Sequence, residues 1–309
     1  MTGGRSNLTY RLTDGHERWV LRRPPLGHIL ATAHDMQREY TVMAALAGTD
    51  VPVPRMVTLC QDSTILGAPF YVMSFVDGTV YRTAEQLTAL TATAAEELAD
   101  QLVDVLVRLH SLDPGAVGLA ELGRPSGFLE RQLRRWANQL AASRYRDVPG
   151  LLELGDRLAR TLPPSGPTSL VHGDYKLDNV VAAEGIVAVL DWEMATLGDP
   201  LTDLVNLAIW WEGVRTTDGE PIAVVPADAA SFPPVRRLLE RYRALTGADL
   251  DHLPWYFGLA CFKLAAIFEG MHYRQTQGLT VGEGFDRLAG LAPALTRRGH
   301  DALDGARPG

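Results

Sequence analysis

The sequence contains very little cysteine. Of its 309 residues only Cys60 and Cys261 are cysteines, and about two hundred positions separate them in the chain. Two distant thiols provide neither a disulfide framework nor a cysteine-based metal site. We therefore interpret both as buried thiols of a protein that works in a reducing compartment.

Long hydrophobic runs and an excess of basic residues are also missing. No apolar segment approaches the roughly 20 residues needed to cross a bilayer, and the opening MTGGRSNLTYRL resembles neither a signal peptide nor a transit helix. The formal net charge of −8 argues against nucleic-acid binding. We expect a cytoplasmic protein without nucleic-acid or membrane partners, and the sequence leaves the oligomeric state open.

Residues 1–78 have the pattern of a small lobe that mixes strands and one helix. Alternating apolar and polar residues around Asp14-Gly15 predict a hairpin. Apolar residues at helical spacing predict a helix from His34 to Leu46. The segments VPVPRMVTLCQD and TILGAPFYVMSFV then predict two more strands, before a break at Asp77-Gly78.

Residues 79–309 are predicted to be mainly helical. An apolar stripe marks a long helix that Pro114 and Gly115 end, and a second helix follows in GFLERQLRRWANQLAASR. Two short apolar strands with a polar loop between them come next, and helices resume from Thr202, with a break at 216–234. The predicted fold class is α+β, with a small β-rich lobe, a larger helical lobe and a ligand-binding cleft between them.

One polar loop carries most of the chemistry. It lies in SLVHGDYKLDNVV and contains His172, Asp174 and Asn179, and Asp191 follows the next apolar strand. Two carboxylates and an amide oxygen form a hard-oxygen set that suits Mg²⁺ better than Zn²⁺. Asp and Asn are also common turn and capping residues, but this spacing, followed by a buried strand that ends in Asp, favours a functional site.

These residues carry a resemblance to a known family. His172-Gly173-Asp174 through Asn179, with Asp191-Trp192-Glu193, resembles the catalytic core of the aminoglycoside phosphotransferase family, which has a protein-kinase-like fold. The flanking stretches GGRSNLTYRL, WVLRRPP, AHDMQREYTVMAAL, GAPFYVMSFVDG and GDPLTDLVNLAIWW are similar to the kinase-like domains that are fused to acyl-CoA dehydrogenases. The likeness extends over most of the chain and implies an ATP-dependent kinase.

The resemblance implies a role for each matching residue. Asp174 would accept the proton of a substrate hydroxyl, and Asn179 and Asp191 would hold Mg²⁺ on the ATP phosphates. Arg22 occupies the strand position where kinases place a lysine, and Glu39 would pair with it. The implied nucleotide contacts also include a loop over the phosphates and the backbone of the lobe connection: Gly3, Gly4, Ser6, Asn7, Met73, Ser74 and Phe75.

Several residues keep two interpretations. Lys176 either steadies the transferred phosphate as a catalytic residue or is a solvated lysine. His172 is predicted to support the loop by hydrogen bonding rather than to react. Asp203 is predicted to begin a helix near Pro200, and the resemblance adds a role in bracing the catalytic loop.

The chain also departs from the family pattern. Only Met1 and Thr2 precede Gly3, although a strand usually comes before the phosphate loop. Either the start is mis-assigned, the sequence is clipped, or the strand is missing; a missing strand would leave a sheet edge unprotected. Arginine at position 22 keeps the positive charge but is not equivalent to lysine.

The acceptor is less defined than the reaction. The helix LPWYFGLACFKLAAIFEGMHYRQ carries Lys263 and Arg274 amid aromatic residues, which favours an anionic or acyl substrate over a polycationic antibiotic. The alternative is that the aromatics are core and the cations are at the surface. We predict a kinase of a hydroxyacyl compound or its CoA thioester. Aminoglycoside and choline-type kinases, and a nucleotide-binding pseudokinase, remain alternatives; a protein kinase is disfavoured because Asp191 to Asp203 is too short for an activation segment.

Overall fold

A four-stranded antiparallel sheet forms the amino-terminal part of the computed structural model, which describes residues 7–25, 35–143, 145–278 and 285–305. The strands are arranged in the order β1-β2-β4-β3, and all neighbours are antiparallel. They span β1 Leu8–Thr13, β2 Arg18–Arg23, β3 Met56–Cys60 and β4 Phe70–Ser74. One helix, α1 (Met36–Leu46), packs against this sheet.

The predicted hairpin is present, and its turn is stabilised locally. The Asp14 carboxylate accepts the backbone N–H groups of His16 and Glu17 at 2.9 and 2.7 Å. Helix α1 begins in a similar way, because Asp35 accepts the N–H of Arg38 at 2.9 Å. Its inward face is apolar except for one fully buried carboxylate, that of Glu39.

The expected strand beginning at Thr64 was wrong at its start. Ser63–Leu66 form a short helix, α2, and the strand itself begins at Phe70. The reason is local: Asp62 caps this helix by accepting the N–H of Thr64 at 2.8 Å, and Gly67 ends it in the left-handed conformation. Cys60 also differs from expectation, since it is half-buried, whereas Cys261 is buried.

The remainder of the chain is mainly helical, as predicted. The helices are α3 Ala84–Thr88, α4 Ala92–Ser111, α5 Phe128–Ser143, α6 Leu151–Arg160, α7 Leu201–Glu212, α8 Val235–Thr246, α9 Leu253–Thr276 and α10 Leu291–Leu303. Helix α4 buries its predicted stripe, and α9 packs against α5, α6, α7 and α10. None of the described helices combines the length and apolar character that a membrane crossing requires.

Two small antiparallel pairs lie within this helical part and carry the polar loop. Strand β5 (Ser169–Val171) pairs with β8 (Thr196–Gly198), and β6 (Val180–Ala182) pairs with β7 (Ile186–Val189). All of β5 and β6 is buried. The loop between β5 and β6 is therefore anchored at both ends in the core.

The segment after β4 is fixed to β6 by backbone hydrogen bonds. Thr79 and Ala182 exchange N–H···O bonds of 2.7 and 2.9 Å. Gly78 precedes this bridge with φ of 151°, and a Cβ there would lie 2.6 Å from the carbonyl oxygen of Ala182. Only glycine fits at this approach of the linker to β6.

We predict that Gly78→Ala destabilises the protein more than Gly48→Ala. Gly48 also has a positive φ, of 85°, but open space surrounds its added methyl group. Backbone strain alone costs roughly 1–3 kcal/mol, and only Gly78→Ala adds a clash with backbone atoms. Equal losses in the free energy of unfolding, measured by urea denaturation, would show that the close approach contributes nothing.

Candidate active site

His172 holds the start of the loop between β5 and β6. Its ring is completely buried, Nε2 lies 2.9 Å from the carbonyl oxygen of Leu190, and Nδ1 lies 3.1 Å from the N–H of Asp174. This pattern requires a neutral ring that donates from Nε2 and accepts at Nδ1. His172 thus joins the loop to the segment before Asp191, as a structural residue.

Asp203 on α7 also holds this loop in place. Its carboxylate is fully buried and accepts the backbone N–H groups of His172 and Gly173 at 2.5 and 2.7 Å. Burial raises the pKa of Asp203, but hydrogen bonds from the His110 side chain and the His172 backbone oppose burial, and the net shift is downwards. An ionised acceptor therefore fixes the direction of two consecutive peptide groups.

Gly173, in the loop between β5 and β6, brings two backbone segments into contact. Its φ is +82°, and a Cβ at this position would lie 2.7 Å from the carbonyl oxygen of Met194. The Gly173 carbonyl accepts a 2.6 Å hydrogen bond from Nζ of Lys263 on α9. The conformation of residue 173 thus positions the adjacent Asp174 and connects it to α9.

The Asp174 carboxylate lies at the centre of a polar cluster. Oδ2 is 2.9 Å from Nζ of Lys176 and accepts Nδ2 of Asn179 at 3.1 Å. Burial raises the pKa of Asp174, but the charges of Lys176 and Lys263 outweigh burial and hold the pKa below its ordinary value. The group is therefore an ionised hydrogen-bond acceptor at neutral pH.

Lys176 is not the solvated lysine of the second interpretation. Its side chain is 15% exposed, and Nζ lies 4.5 Å from the centroid of the Trp210 ring. Burial lowers the pKa of Lys176, but Asp174 and Asp178 raise it and the net shift is upwards. Its ammonium group is thus held beside Asp174 by an ion pair and an aromatic face.

Asp191 is brought next to this loop by the β6–β7 hairpin. Its φ of 67° makes it the one non-glycine residue with positive φ in the described ranges. Leu190, just before it, donates its N–H to the carbonyl of Asn179 at 2.8 Å. Non-glycine residues adopt this conformation uncommonly, and such residues cluster at active sites. It aims a carboxylate that is about a quarter exposed into the cleft.

The predicted ion pair between Arg22 and Glu39 is present. The Arg22 guanidinium donates to Oε1 of Glu39 at 2.6 Å and to Oδ1 of Asp191 at 3.1 Å. Burial lowers the pKa of Arg22, but Glu39, Tyr71 and Asp191 outweigh burial and raise it. Burial raises the pKa of Glu39, and Arg22 opposes that shift. One buried cation on strand β2 therefore bonds both to helix α1 and to Asp191, the candidate metal ligand.

The prediction from sequence missed Glu193, which contributes a further carboxylate. It accepts Nδ2 of Asn7 at 3.2 Å. Burial, then the negative charges of Asp191 and Glu39, raise the pKa of Glu193 to about 8. Its position two residues after Asp191 is a signal that could have identified it, because a short helical turn (Trp192–Met194) keeps both acids near the cleft.

The predicted nucleotide contacts are only partly described. Gly3, Gly4 and Ser6 lie outside the described residues, and Asn7 is buried. Met73 and Ser74 end β4, where Ser74 and Phe75 donate their N–H groups to Arg55 and Arg18. These N–H groups are thus used within the sheet. Within the described ranges no acceptor is recorded for the N–H of Val76, the next residue.

The basic and aromatic residues of α9 separate in the structure. Trp255, Tyr256 and Phe257 are each 4% exposed and belong to the core, as the alternative interpretation predicted. Lys263 is not the surface cation of that alternative, because it is half-buried and bonded to Gly173 in the loop between β5 and β6. Arg274 is exposed.

The residues fit a nucleotide with Mg²⁺. Because Asn179 uses its amide nitrogen for Asp174, its oxygen is left to coordinate, and Asp191 supplies a carboxylate. In the described chain no group of three or more His, Cys, Asp and Glu side chains is placed to hold a metal, but Mg²⁺ needs few protein ligands when phosphates and waters complete its shell. Nearby, Nε of Arg22 and Oδ1 of Asn7 are buried without a recorded hydrogen-bond partner in the described chain.

Comparison with known proteins agrees with this geometry. The sequence profile of the phosphotransferase enzyme family (APH) matches residues 1–245. Acyl-CoA dehydrogenase family member 11 of Pongo abelii is 32% identical over 304 residues, which cover 96% of this chain but only 38% of that protein. The chain thus spans about two fifths of this curated relative.

Solved structures show the same fold. A protein of Ralstonia eutropha JMP134, provisionally named an aminoglycoside phosphotransferase, superposes with a TM-score of 0.84 at 31% identity, covering 98% of this chain and 91% of that one. Aminoglycoside phosphotransferase APH(4)-Ia, solved with ADP and hygromycin B, gives a TM-score of 0.63 at 15% identity, with 99% and 93% covered. The chain therefore belongs to the phosphotransferase enzyme family and is a small-molecule kinase with the bilobal protein-kinase-like fold.

Proposed function

We propose that this chain transfers the γ-phosphoryl group of ATP, with Mg²⁺, to the hydroxyl of a hydroxyacyl compound. The observation that carries this proposal is the ionised Asp174 carboxylate, with Lys176 and Asn179 at 2.9 and 3.1 Å. Asp191 is near enough to contribute to the raised pKa of the same Lys176. The alcohol oxygen attacks the γ-phosphorus, the bond from phosphorus to ADP breaks, and Asp174 receives the alcohol proton.

Asp174 has a free oxygen for this task. Lys176 and Asn179 both contact Oδ2, and within the described residues no donor is recorded for Oδ1. An acceptor hydroxyl can therefore hydrogen-bond to Oδ1 without displacing either neighbour. Lys176 is close enough to the same carboxylate to balance negative charge as the phosphoryl group moves.

The nucleotide side of the cleft is assigned to Arg22, Asn179 and Asp191. Asn179 and Asp191 would hold Mg²⁺, which supplies charge neutralisation of the phosphates when it is bound. The buried, unpartnered Nε of Arg22 is a donor suited to a phosphate oxygen. The N–H of Val76, which follows Met73, Ser74 and Phe75, is the backbone donor that remains for adenine.

The acyl acceptor is favoured by two considerations. The chain aligns over 96% of its length with a protein named as an acyl-CoA dehydrogenase family member. In that longer protein, the aligned segment is therefore part of a chain that is named for acyl-CoA chemistry. In addition, Lys263 places positive charge next to Asp174. A polycationic antibiotic would be repelled by this charge. An aminoglycoside acceptor is the alternative, because structural relatives are named as aminoglycoside phosphotransferases.

We predict that Asp174→Ala abolishes hydroxyl-dependent ADP release. The assay uses Mg-ATP with hydroxyacids, hydroxyacyl-CoAs, choline-like amines and aminoglycosides as separate acceptors. Loss of the acceptor carboxylate should lower kcat by about 10²–10⁴-fold while ATP still binds. Asp156→Ala, at an exposed acid on α6, is the matched control and should retain most activity.

The outcomes of this assay separate the candidates. Stimulation by hydroxyacyl compounds supports the proposal, and stimulation by aminoglycosides alone would replace the acceptor class. ATP binding without stimulation by any hydroxyl compound would identify a pseudokinase.

We further predict that Asp191→Asn raises the Mg²⁺ concentration needed for half-maximal activity by at least about tenfold, because a neutral amide is a weaker ligand than a carboxylate. A Mg²⁺ titration of ADP release measures this. Asp77→Asn, at an exposed acid that pairs with Arg18, is the control. An unchanged Mg²⁺ requirement in Asp191→Asn would contradict the assignment of residue 191.

A further inference from the structure

Three cationic side chains converge beside the Gly173–Met194 contact, next to Asp174. Arg38 comes from α1, Arg135 from α5 and Lys263 from α9. We name this group the cationic rim. Because its members come from three separate helices, no sequence spacing brings them together and only the tertiary fold does.

Arg38 and Lys263 are fixed by backbone carbonyls rather than by carboxylates. Arg38 donates through Nε to Ala195 at 2.9 Å and through one terminal nitrogen to Leu122 at 2.8 Å. Lys263 donates to Gly173 at 2.6 Å. Carbonyl oxygens hold these cations in place without neutralising their charge.

Arg135 differs because it is an exposed residue with no recorded partner in the described ranges. Its Cζ lies 4.9 Å from the ring centroid of Trp136, and Nζ of Lys263 lies 5.8 Å from the same centroid. Trp136 is buried and provides a rigid base under the two cations. No hydrogen bond or ion pair of Arg135 is recorded in the described ranges, so its N–H donors can bond to a ligand.

The electrostatic balance at the rim is positive. Burial lowers the pKa of Arg135, and the charge of Arg38 lowers it further. Burial likewise lowers the pKa of Lys263; Asp174 and Asp203 oppose this shift, while Lys176 and Arg135 add to it. Asp35 opposes the downward shift of Arg38. The acids facing the rim thus raise the pKa of Lys263 or of Arg38, and none of them is among the causes of the pKa shift of Arg135.

We propose that Arg135, supported by Arg38 and Lys263, binds an anionic group of the acceptor substrate and thereby selects anionic hydroxy compounds. This inference rests on the proposed kinase function and adds the residue that determines acceptor class. A carboxylate or a phosphate would pair with the guanidinium fork and relieve the repulsion among three clustered cations. The reacting hydroxyl of the same molecule would lie towards Asp174, whose preceding residue already contacts Lys263.

Three acceptors with the same reacting group test the proposal. They are 3-hydroxybutyrate, its CoA thioester and its neutral N-acetylcysteamine thioester. Arg135→Ala should raise KM by about 10–100-fold for the anionic probe whose charge Arg135 binds. The KM for the neutral thioester should stay unchanged. Arg135→Lys should restore part of the loss. Arg134→Ala removes an exposed arginine from the adjacent position of α5 and is the matched control.

A binding measurement separates this inference from the kinase assignment. Calorimetric titration of the wild type, Arg135→Ala and Arg134→Ala with each probe, in the presence of Mg-ADP, requires no turnover. Selective loss of anion binding in Arg135→Ala supports the inference even if the wild type transfers no phosphate. A selective effect on 3-hydroxybutyrate identifies a carboxylate, and an effect confined to the CoA thioester identifies its phosphates. Equal behaviour of Arg135→Ala and Arg134→Ala, or equal weakening of the neutral probe, would overturn it.

Discussion

The shared contacts of Arg22 are the interaction on which the site depends. One guanidinium, almost completely buried, bonds to Glu39 on α1 and to Asp191 after β7. A buried charge that loses one partner is costly, so each carboxylate restricts where the other can lie. The sheet, the helix behind it and the hairpin from the larger lobe are thereby held in one arrangement around the cleft.

The charges of the cleft are divided by side, with Asp174 between them. Towards the proposed nucleotide position lie the acids Glu39, Asp191 and Glu193, with the Arg22 guanidinium bonded to the first two. Burial and then the charges of Asp191 and Glu39 raise the pKa of Glu193. Towards the proposed acceptor position lies the cationic rim. Such a division suits a reaction in which a metal–phosphate complex approaches from one side and a negatively charged alcohol from the other.

Much of the fold and the centre of the site could be predicted from local patterns. Asp174, Asn179 and Asp191 were found because their spacing lies within one loop and one hairpin, where sequence distance limits spatial distance. The Arg22–Glu39 pair was predicted because the family resemblance implied it. The predicted start of one strand at Thr64 was wrong, because Asp62 and Gly67 cap a short helix there.

The rest depended on tertiary contacts that no spacing encodes. The burial of Lys176 needs Trp210 from α7, and the role of Lys263 needs the Gly173 carbonyl from a loop ninety positions earlier in the chain. Arg135 was indistinguishable in sequence from its neighbour Arg134. What separates them is the neighbourhood of Arg38 and Trp136, which only the packing of α5 against other elements reveals.

The Thr79–Ala182 bridge has a consequence for how the cleft can open. The β6–β7 hairpin that carries this bridge also bonds to the smaller lobe through its backbone, from the Val189 N–H to the Pro52 carbonyl at 2.8 Å. Elsewhere the lobes meet through side chains, such as that of Asn7 with Glu193 and that of Arg38 with the Ala195 carbonyl. A nucleotide that enters between the lobes can therefore displace side-chain contacts while the backbone bonds of the hairpin stay in place.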